Sequence, residues 1–470
     1  MKKFEKVIIV FNILLMILLI LNRTFCDLDE IWNYNFARNI VNGNVPYLDF
    51  NMIIFPLFPN ILALFLKVFG EELIVYRFFQ ILIYIGIIIL VFKLLEKLKL
   101  NNRIINYLIV SMLLSLLFLY CVGEYNIFCL FLILLIINLE ISIKQDIKRQ
   151  CLIGFLVGIT FTVKQSIGIV TFVVSIILIF LKNINIIEKI KTASVRVLFF
   201  LITLFIMLGY LFYNKAFEYF LDYTILGLQD FTQNKLSYLH LLVYEDYIIR
   251  LLALFMLFIY VFIIYKVLKY KLKDSLLIIL IGYSLTTISM MVPIMNASHF
   301  IPANILIIII FLYLINSEKT ENESCLIKIP KIINIFSIIL LLIIICILVY
   351  NIFCFNKYKH YKYINTLSND IRLSEVIKFL EDNPNTYILD ASAAMYMIPI
   401  DKYNGIFDMI LIGNIGKNGE EKIISLLKEQ ENVYLLLNKN GNWQNVIKII
   451  EYVEKNYEYV GKVSDLYIYK

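Results

Sequence analysis

A chain of 470 residues and 55.3 kDa has room for two or three soluble domains, but its composition excludes them: 61% hydrophobic and 17% charged residues, mean hydropathy +0.82. Soluble chains run about half apolar and a quarter charged, so this is a membrane protein. The net charge of +7, from 43 Lys and Arg against 36 Asp and Glu, would suggest a nucleic-acid partner in a soluble protein. In a membrane chain it reports loop topology, and no nucleic acid is expected.

The first six residues, Met1-Lys-Lys-Phe-Glu-Lys6, precede an apolar run to Leu21. This is the charge order of a signal peptide without a small-residue cleavage site, and it reads as a retained first span. Eleven apolar segments follow one another: 7–25, 73–92, 104–121, 127–143, 151–163, 166–181, 197–213, 247–265, 275–293, 301–315 and 332–353. Residues 151–181 are the length of one long helix, or of two short ones meeting at Thr162-Val-Lys-Gln-Ser166. Residues 52–69 are apolar but carry Pro56, Pro59 and Lys67.

Loop charge arbitrates, because Lys and Arg gather in short cytoplasmic loops. With the N-terminus inside, 52–69 lying in the interface and 151–181 counted as two passes, 21 basic residues fall on inside segments and 8 on outside ends. Either alternative exports basic loops. An odd number of spans then predicts an extracytoplasmic tail from residue 354, with 14 basic and 15 acidic residues. The expected division is a catalytic membrane domain, 1–353, and an extracytoplasmic α/β domain, 354–470. In the tail, Tyr387–Asp390, Val433–Leu437, Tyr457–Val460 and Leu466–Tyr469 read as strands, and 371–382, 419–430 and 444–455 as helices. Gly413-Asn-Ile-Gly-Lys-Asn-Gly419 lacks P-loop order and reads as a turn before a helix.

Two outside loops are long, 26–72 and 214–246, so chemistry is expected to face outward. The first holds Asp27, Asp29 and Glu30 at the end of the first span, then a helical run closing at Gly43. Gly43-Asn-Val-Pro-Tyr-Leu-Asp49 follows, and then a Pro-broken apolar stretch to Gly70. Carboxylates there serve equally as helix caps at a membrane edge. Seven cysteines (26, 121, 129, 151, 325, 346 and 354) show neither CxxC nor paired spacing, which speaks against a disulfide framework or a zinc site. Acidic outer loops suit a divalent cation such as Mg2+ or Mn2+, but no ligand spacing supports one.

Asp29-Glu30 after the first span, Gly43 to Asp49 including Tyr47, the Pro56–Gly70 element, and Arg77 opening the next span resemble the GT-C superfamily of integral-membrane glycosyltransferases. That group includes protein O-mannosyltransferases and lipid A aminoarabinose transferases. The likeness continues through Gly123-Glu-Tyr-Asn126, Lys164-Gln165 and His299-Phe-Ile-Pro302, where His299 stands in place of an expected Arg. The resemblance implies a polytopic α-helical protein of about eleven spans with a small outward α/β domain. It also implies transfer of a sugar from a polyprenyl phosphate donor to a hydroxyl on a glycan, lipid or protein acceptor.

A phosphate leaves as an anion, so one carboxylate suffices as general base, with inversion at the anomeric carbon. Asp29 is the first choice for that role, with Asp27 and Glu30 as near alternatives; Asp49 orients acceptor or sugar. Lys164 with Gln165, and more weakly Arg77 and His299, are the candidates for the lipid phosphate. For Lys164 the competing reading is a snorkelling side chain, and for Arg77 a membrane-edge anchor. Glu124 caps a helix or shapes the pocket. A transporter or lipid flippase is the competing class, disfavoured because internal repeats are not evident and ionisable groups gather at outer ends. The Ile, Lys and Asn bias suggests an AT-rich bacterial genome and so a multi-pass protein of a bacterial cell membrane.

Overall fold

The computed structural model describes residues 3–23, 28–101, 103–142, 146–231, 235–270, 274–317, 371–439 and 446–470. The eleventh apolar segment (332–353), Asp27 and His360 lie outside these.

The apolar segments fold as helices in chain order. Helix α1 is Lys3–Asn22, α2 Leu28–Val41, α3 Leu57–Phe69, α4 Leu73–Leu98, α5 Arg103–Tyr120, α6 Tyr125–Glu140, α7 Ile147–Val163, α8 Gln165–Leu181 and α9 Ile186–Tyr213. Tyr247–Tyr270, Ser275–Ile288 and Ala297–Ser317 follow. Six of the described helices are long and apolar enough to cross a membrane. Helix α3, at 13 residues, is not: at about 1.5 Å per residue it covers well under the ~30 Å of a bilayer core. It buries Phe58, Leu62 and Leu66 and exposes Leu64, Val68 and Phe69. Two apolar faces on a short helix suit an interfacial position.

The described chain packs as two compact units. One takes the described residues of Met1–Arg23, Gln80–Leu204 and Leu236–Lys359. Within it, residues 151–181 are indeed two helices, α7 and α8, broken at Lys164. A Cβ on Gly168 would fall 2.1 Å from Phe161 Cα, so only glycine lets the two backbones approach this closely. Glu140, Arg196, Gln150 and Lys182 tie α6, α7, α8 and α9 together. Arg196 is 1% exposed and spends its guanidinium on Glu140, on Gln150 Oε1 at 2.6 and 2.8 Å, and on Ser175 O at 2.9 Å.

The other unit takes the described residues of Thr24–Phe79, Phe205–Lys235 and His360–Lys470. Its four-stranded sheet runs β1 (Thr386–Leu389), β2 (Tyr434–Asn438), β4 (Leu466–Tyr469), β3 (Tyr459–Val463). The β1–β2 pair is parallel and the others antiparallel. Alternation along β2 sends Leu435 and Leu437 to one core, with Ile423, Leu427, Ile449 and Val453, and Leu436 to the other, with Val376 and Leu380. Helix Ile371–Asp382 covers one sheet face, and helices Gly419–Lys428 and Ile447–Asn456 cover the other. These elements coincide closely with the strands and helices expected from the tail sequence.

Candidate active site

Within the sheet-bearing unit, helix α2 carries the first-loop carboxylates in its opening turn, where the helix dipole favours negative charge. Asp29 is half-buried, and its backbone carbonyl accepts from Asn33 Nδ2 at 2.7 Å. Glu30 is fully enclosed and lies 3.6 Å from Arg77 Nε. One turn on, Tyr34 stacks on Tyr76 at 5.8 Å and donates its hydroxyl to Glu71 O. Glu30 and Tyr34 thus lie on the face of α2 that meets the start of α4. Arg77 keeps Nη2 buried with no hydrogen-bond acceptor among the described residues, so its fork has spare capacity.

The Gly43–Asp49 element folds back on itself. Gly43 takes φ 88° just past the end of α2, a conformation suited to a residue without Cβ. Asp49 is exposed, and its Oδ2 accepts from Val45 N at 2.7 Å, closing the loop. Tyr47 is buried at φ 70°; its hydroxyl donates to Ile54 O at 2.6 Å and its ring meets Phe220 at 5.4 Å. Burial pushes the Tyr47 phenol well above its ordinary range, which fits a structural ring better than an acid or base.

The second long loop, 214–246, packs over this element. Asn51 donates to Ile406 O at 2.6 Å and Asp408 O at 2.7 Å, and accepts from the Tyr223 hydroxyl. Lys422 Nζ lies 3.1 Å from the same hydroxyl and over the rings of Tyr219 and Tyr223. Burial moves the lysine down and the tyrosine up from their ordinary values.

The second cluster belongs to the helical unit. Lys164, at the break between α7 and α8, is half-buried; its Nζ donates to Asn126 Oδ1 at 2.7 Å and sits 4.9 Å from the centre of the Tyr125 ring. Glu124 is the N-cap of α6 and accepts from Asn126 N at 2.8 Å. His299 is 7% exposed, pairs through Nδ1 with Asn296 Oδ1 at 2.6 Å, and is within electrostatic reach of Lys164. Gln165 opens α8 beside it. Glu124, Lys164, Gln165 and His299 are therefore gathered, with Glu124 acting as a cap.

Among the described residues no group of three or more His, Cys, Asp or Glu side chains gathers as a metal site. No protein-family model and no curated protein sequence matches the chain. Solved structures do. ArnT from Cupriavidus metallidurans, in the apo state, aligns over 98% of this chain and 97% of its own at TM-score 0.58 and 7% identity. The same protein bound to undecaprenyl phosphate aligns over the same shares at TM-score 0.58 and 8% identity. The chain shares the fold of that protein.

Within this fold the sequence reading missed the groups that hold its candidates in place. Tyr125 and Asn126 directly follow Glu124 and were visible as neighbours in Gly123-Glu-Tyr-Asn126. Asn35, Asn51 and Asp408 carried no local signal, since their pairing spans hundreds of residues.

Proposed function

We propose that the protein is a glycosyltransferase that moves a sugar from a polyprenyl phosphate to an acceptor hydroxyl at the outer face of the membrane. The observation that carries this is a fold shared from end to end with a protein solved with undecaprenyl phosphate bound. The membrane part, 1–353, carries the chemistry; the N-terminus is cytoplasmic and residues 354–470 are extracytoplasmic.

Two roles must be filled. A general base takes the proton as the acceptor oxygen bonds to the anomeric carbon, and cations hold the phosphate as the bond from that carbon to the phosphate oxygen breaks. The base is Asp29: it is half-buried in the first turn of α2, while Glu30 is enclosed against Arg77 and Asp49 closes a loop. The phosphate falls to Lys164, whose Nζ donates to Asn126 Oδ1 and lies over the Tyr125 ring. Arg77 supplies a second cation with an uncommitted N–H. His299 shapes the pocket beside Lys164. Displacement inverts the anomeric carbon. Among the described residues the carboxylates do not gather as a metal site.

The test uses the purified full-length chain in lipid nanodiscs with undecaprenyl-phosphate-linked glucose, mannose, galactose and arabinose. Wild-type protein is expected to release undecaprenyl phosphate from one of them when acceptor is supplied. Asp29→Asn and Lys164→Ala abolish release without changing yield or monodispersity. Full turnover in an Asp29→Asn, Asp49→Asn double variant overturns the mechanism. Movement of intact donor across the bilayer with no bond broken means a flippase.

A further inference from the structure

Helix α2 has a second face. Trp32, Asn35 and Arg38, with Asn42 just past the last turn, recur at steps of three, three and four residues, which places them on one side at about 100° per residue. All four reach one short stretch of the C-terminal domain, residues 391–408. Trp32 Nε1 donates to Ala391 O at 2.8 Å, and Asn35 Nδ2 to Asp408 Oδ2 at 2.8 Å. Arg38, 3% exposed, pairs with Asp401 and stacks 5.1 Å from the Tyr403 ring; Asn42 donates to the Tyr403 hydroxyl. Further along the same loop, Asn51 reaches Ile406 O and Asp408 O.

We infer that the C-terminal α/β domain positions the base-bearing helix, with the Asn35–Asp408 pair as the central contact and residues 391–408 as the receiving segment. The inference rests on the transferase reading above. Adhesion alone would be served by apolar packing, which tolerates slip and rotation. Four directional contacts along one side fix both the turn of the helix about its axis and its position along it. A polar stripe is also a costly way to attach a helix, because each buried donor loses its water.

The opposite face is held by Glu30–Arg77 and Tyr34–Tyr76. Asp29 falls at the margin between the two faces, so its carboxylate sits where both sets of contacts put it. A base displaced by about 1 Å can lose a hundredfold in rate.

Asp408 is suited to the central place. Its carboxylate accepts from Ala394 N at 3.2 Å and Met409 N at 2.8 Å as well as from Asn35. Asn35 Oδ1 is buried and meets no donor among the described residues. A half-turn of that amide would let a protonated Asp408, or an Asn in its place, donate to it. Asp408→Asn can therefore keep the pair that Asn35→Ala removes.

The experiment uses the full chain in nanodiscs, with release of undecaprenyl phosphate and hydrogen exchange of the 28–41 backbone read on the same samples. Asn35→Ala is expected to lower kcat about tenfold to a hundredfold, leave KM for the donor within about twofold, and speed exchange across α2. Asp408→Asn, which keeps the pair, leaves both near wild type. Trp32→Phe, which removes one N–H and little volume, moves both readouts in the same direction and serves if Asn35→Ala does not fold. Faster exchange with unchanged kcat overturns the inference, as does unchanged exchange. Turnover that Asp29→Asn abolishes but Asn35→Ala spares sinks the positioning role and leaves the transferase reading standing. A wild type that releases nothing from any donor sinks both.

Discussion

Two buried glutamate–arginine pairs behave differently. Arg196 and Glu140 are in contact at 2.5 Å, and Gln150, Ser175, Lys182 and Tyr283 add further hydrogen bonds. Arg77 and Glu30 stand 3.6 Å apart, with Arg77 Nη2 left over. Saturated charge in an apolar bundle is scaffolding, because every donor is committed and nothing can enter without breaking a bond. A cation with an uncommitted donor, held loosely by a single enclosed carboxylate, retains capacity for an anionic ligand.

Breaking the saturated pair is expected to have the largest effect. Glu140→Ala leaves Arg196 buried without its counter-ion and should cost about 3–5 kcal/mol, seen as a collapse in thermal stability of the purified protein. Arg77→Lys keeps the charge but loses the planar fork. Turnover should fall about tenfold to a hundredfold while the melting temperature hardly moves. Equal losses of stability in the two variants would erase the contrast.

Gly168→Ala tests the scaffold by another route. The new methyl meets the Phe161 backbone, so α7 and α8 must part, at about 1–3 kcal/mol, and Lys164 shifts with them. Thermal melting reads the first consequence and donor KM the second.

The last effect is gradual and depends on pH. Burial pushes Asp408 up to about 7, against the pull of its three N–H donors, and nearby Asp390 adds to the rise. An acid whose folded value lies above its unfolded value near 4 holds its proton more tightly when folded. Its contribution is full below about pH 4 and drains away as pH rises to about 7. Melting curves across that range should show the decline in wild type and a flatter profile in Asp408→Asn.

Much of the fold was legible because apolar length and loop charge act locally. The break at Lys164, the short helix after Pro56 and the alternating tail strands all follow from patterns within about twenty residues. Lys164 was legible as a candidate because a lysine midway through 31 apolar-rich residues, 151–181, breaks the pattern. The partners were not. Arg196 looked like one more basic residue of an inside loop, and its bonds to Gln150 and Glu140 appear only when three helices pack. The asparagines of α2 looked like ordinary loop polarity, since hydrogen bonding across more than 350 residues leaves no periodic trace.

The receiving segment 391–408 also sits within the connection between two parallel strands, β1 and β2. Such a crossover can usually lengthen or shorten as chains diverge, much as the Ser464 turn joining β3 to β4 can. Here every inserted or deleted residue would move Ala391, Asp401 or Asp408 out of step with a rigid helix. Length in this stretch is therefore expected to resist change, while the hairpin at 463–466 accepts insertions. Scanning single-residue insertions through both would map that difference directly.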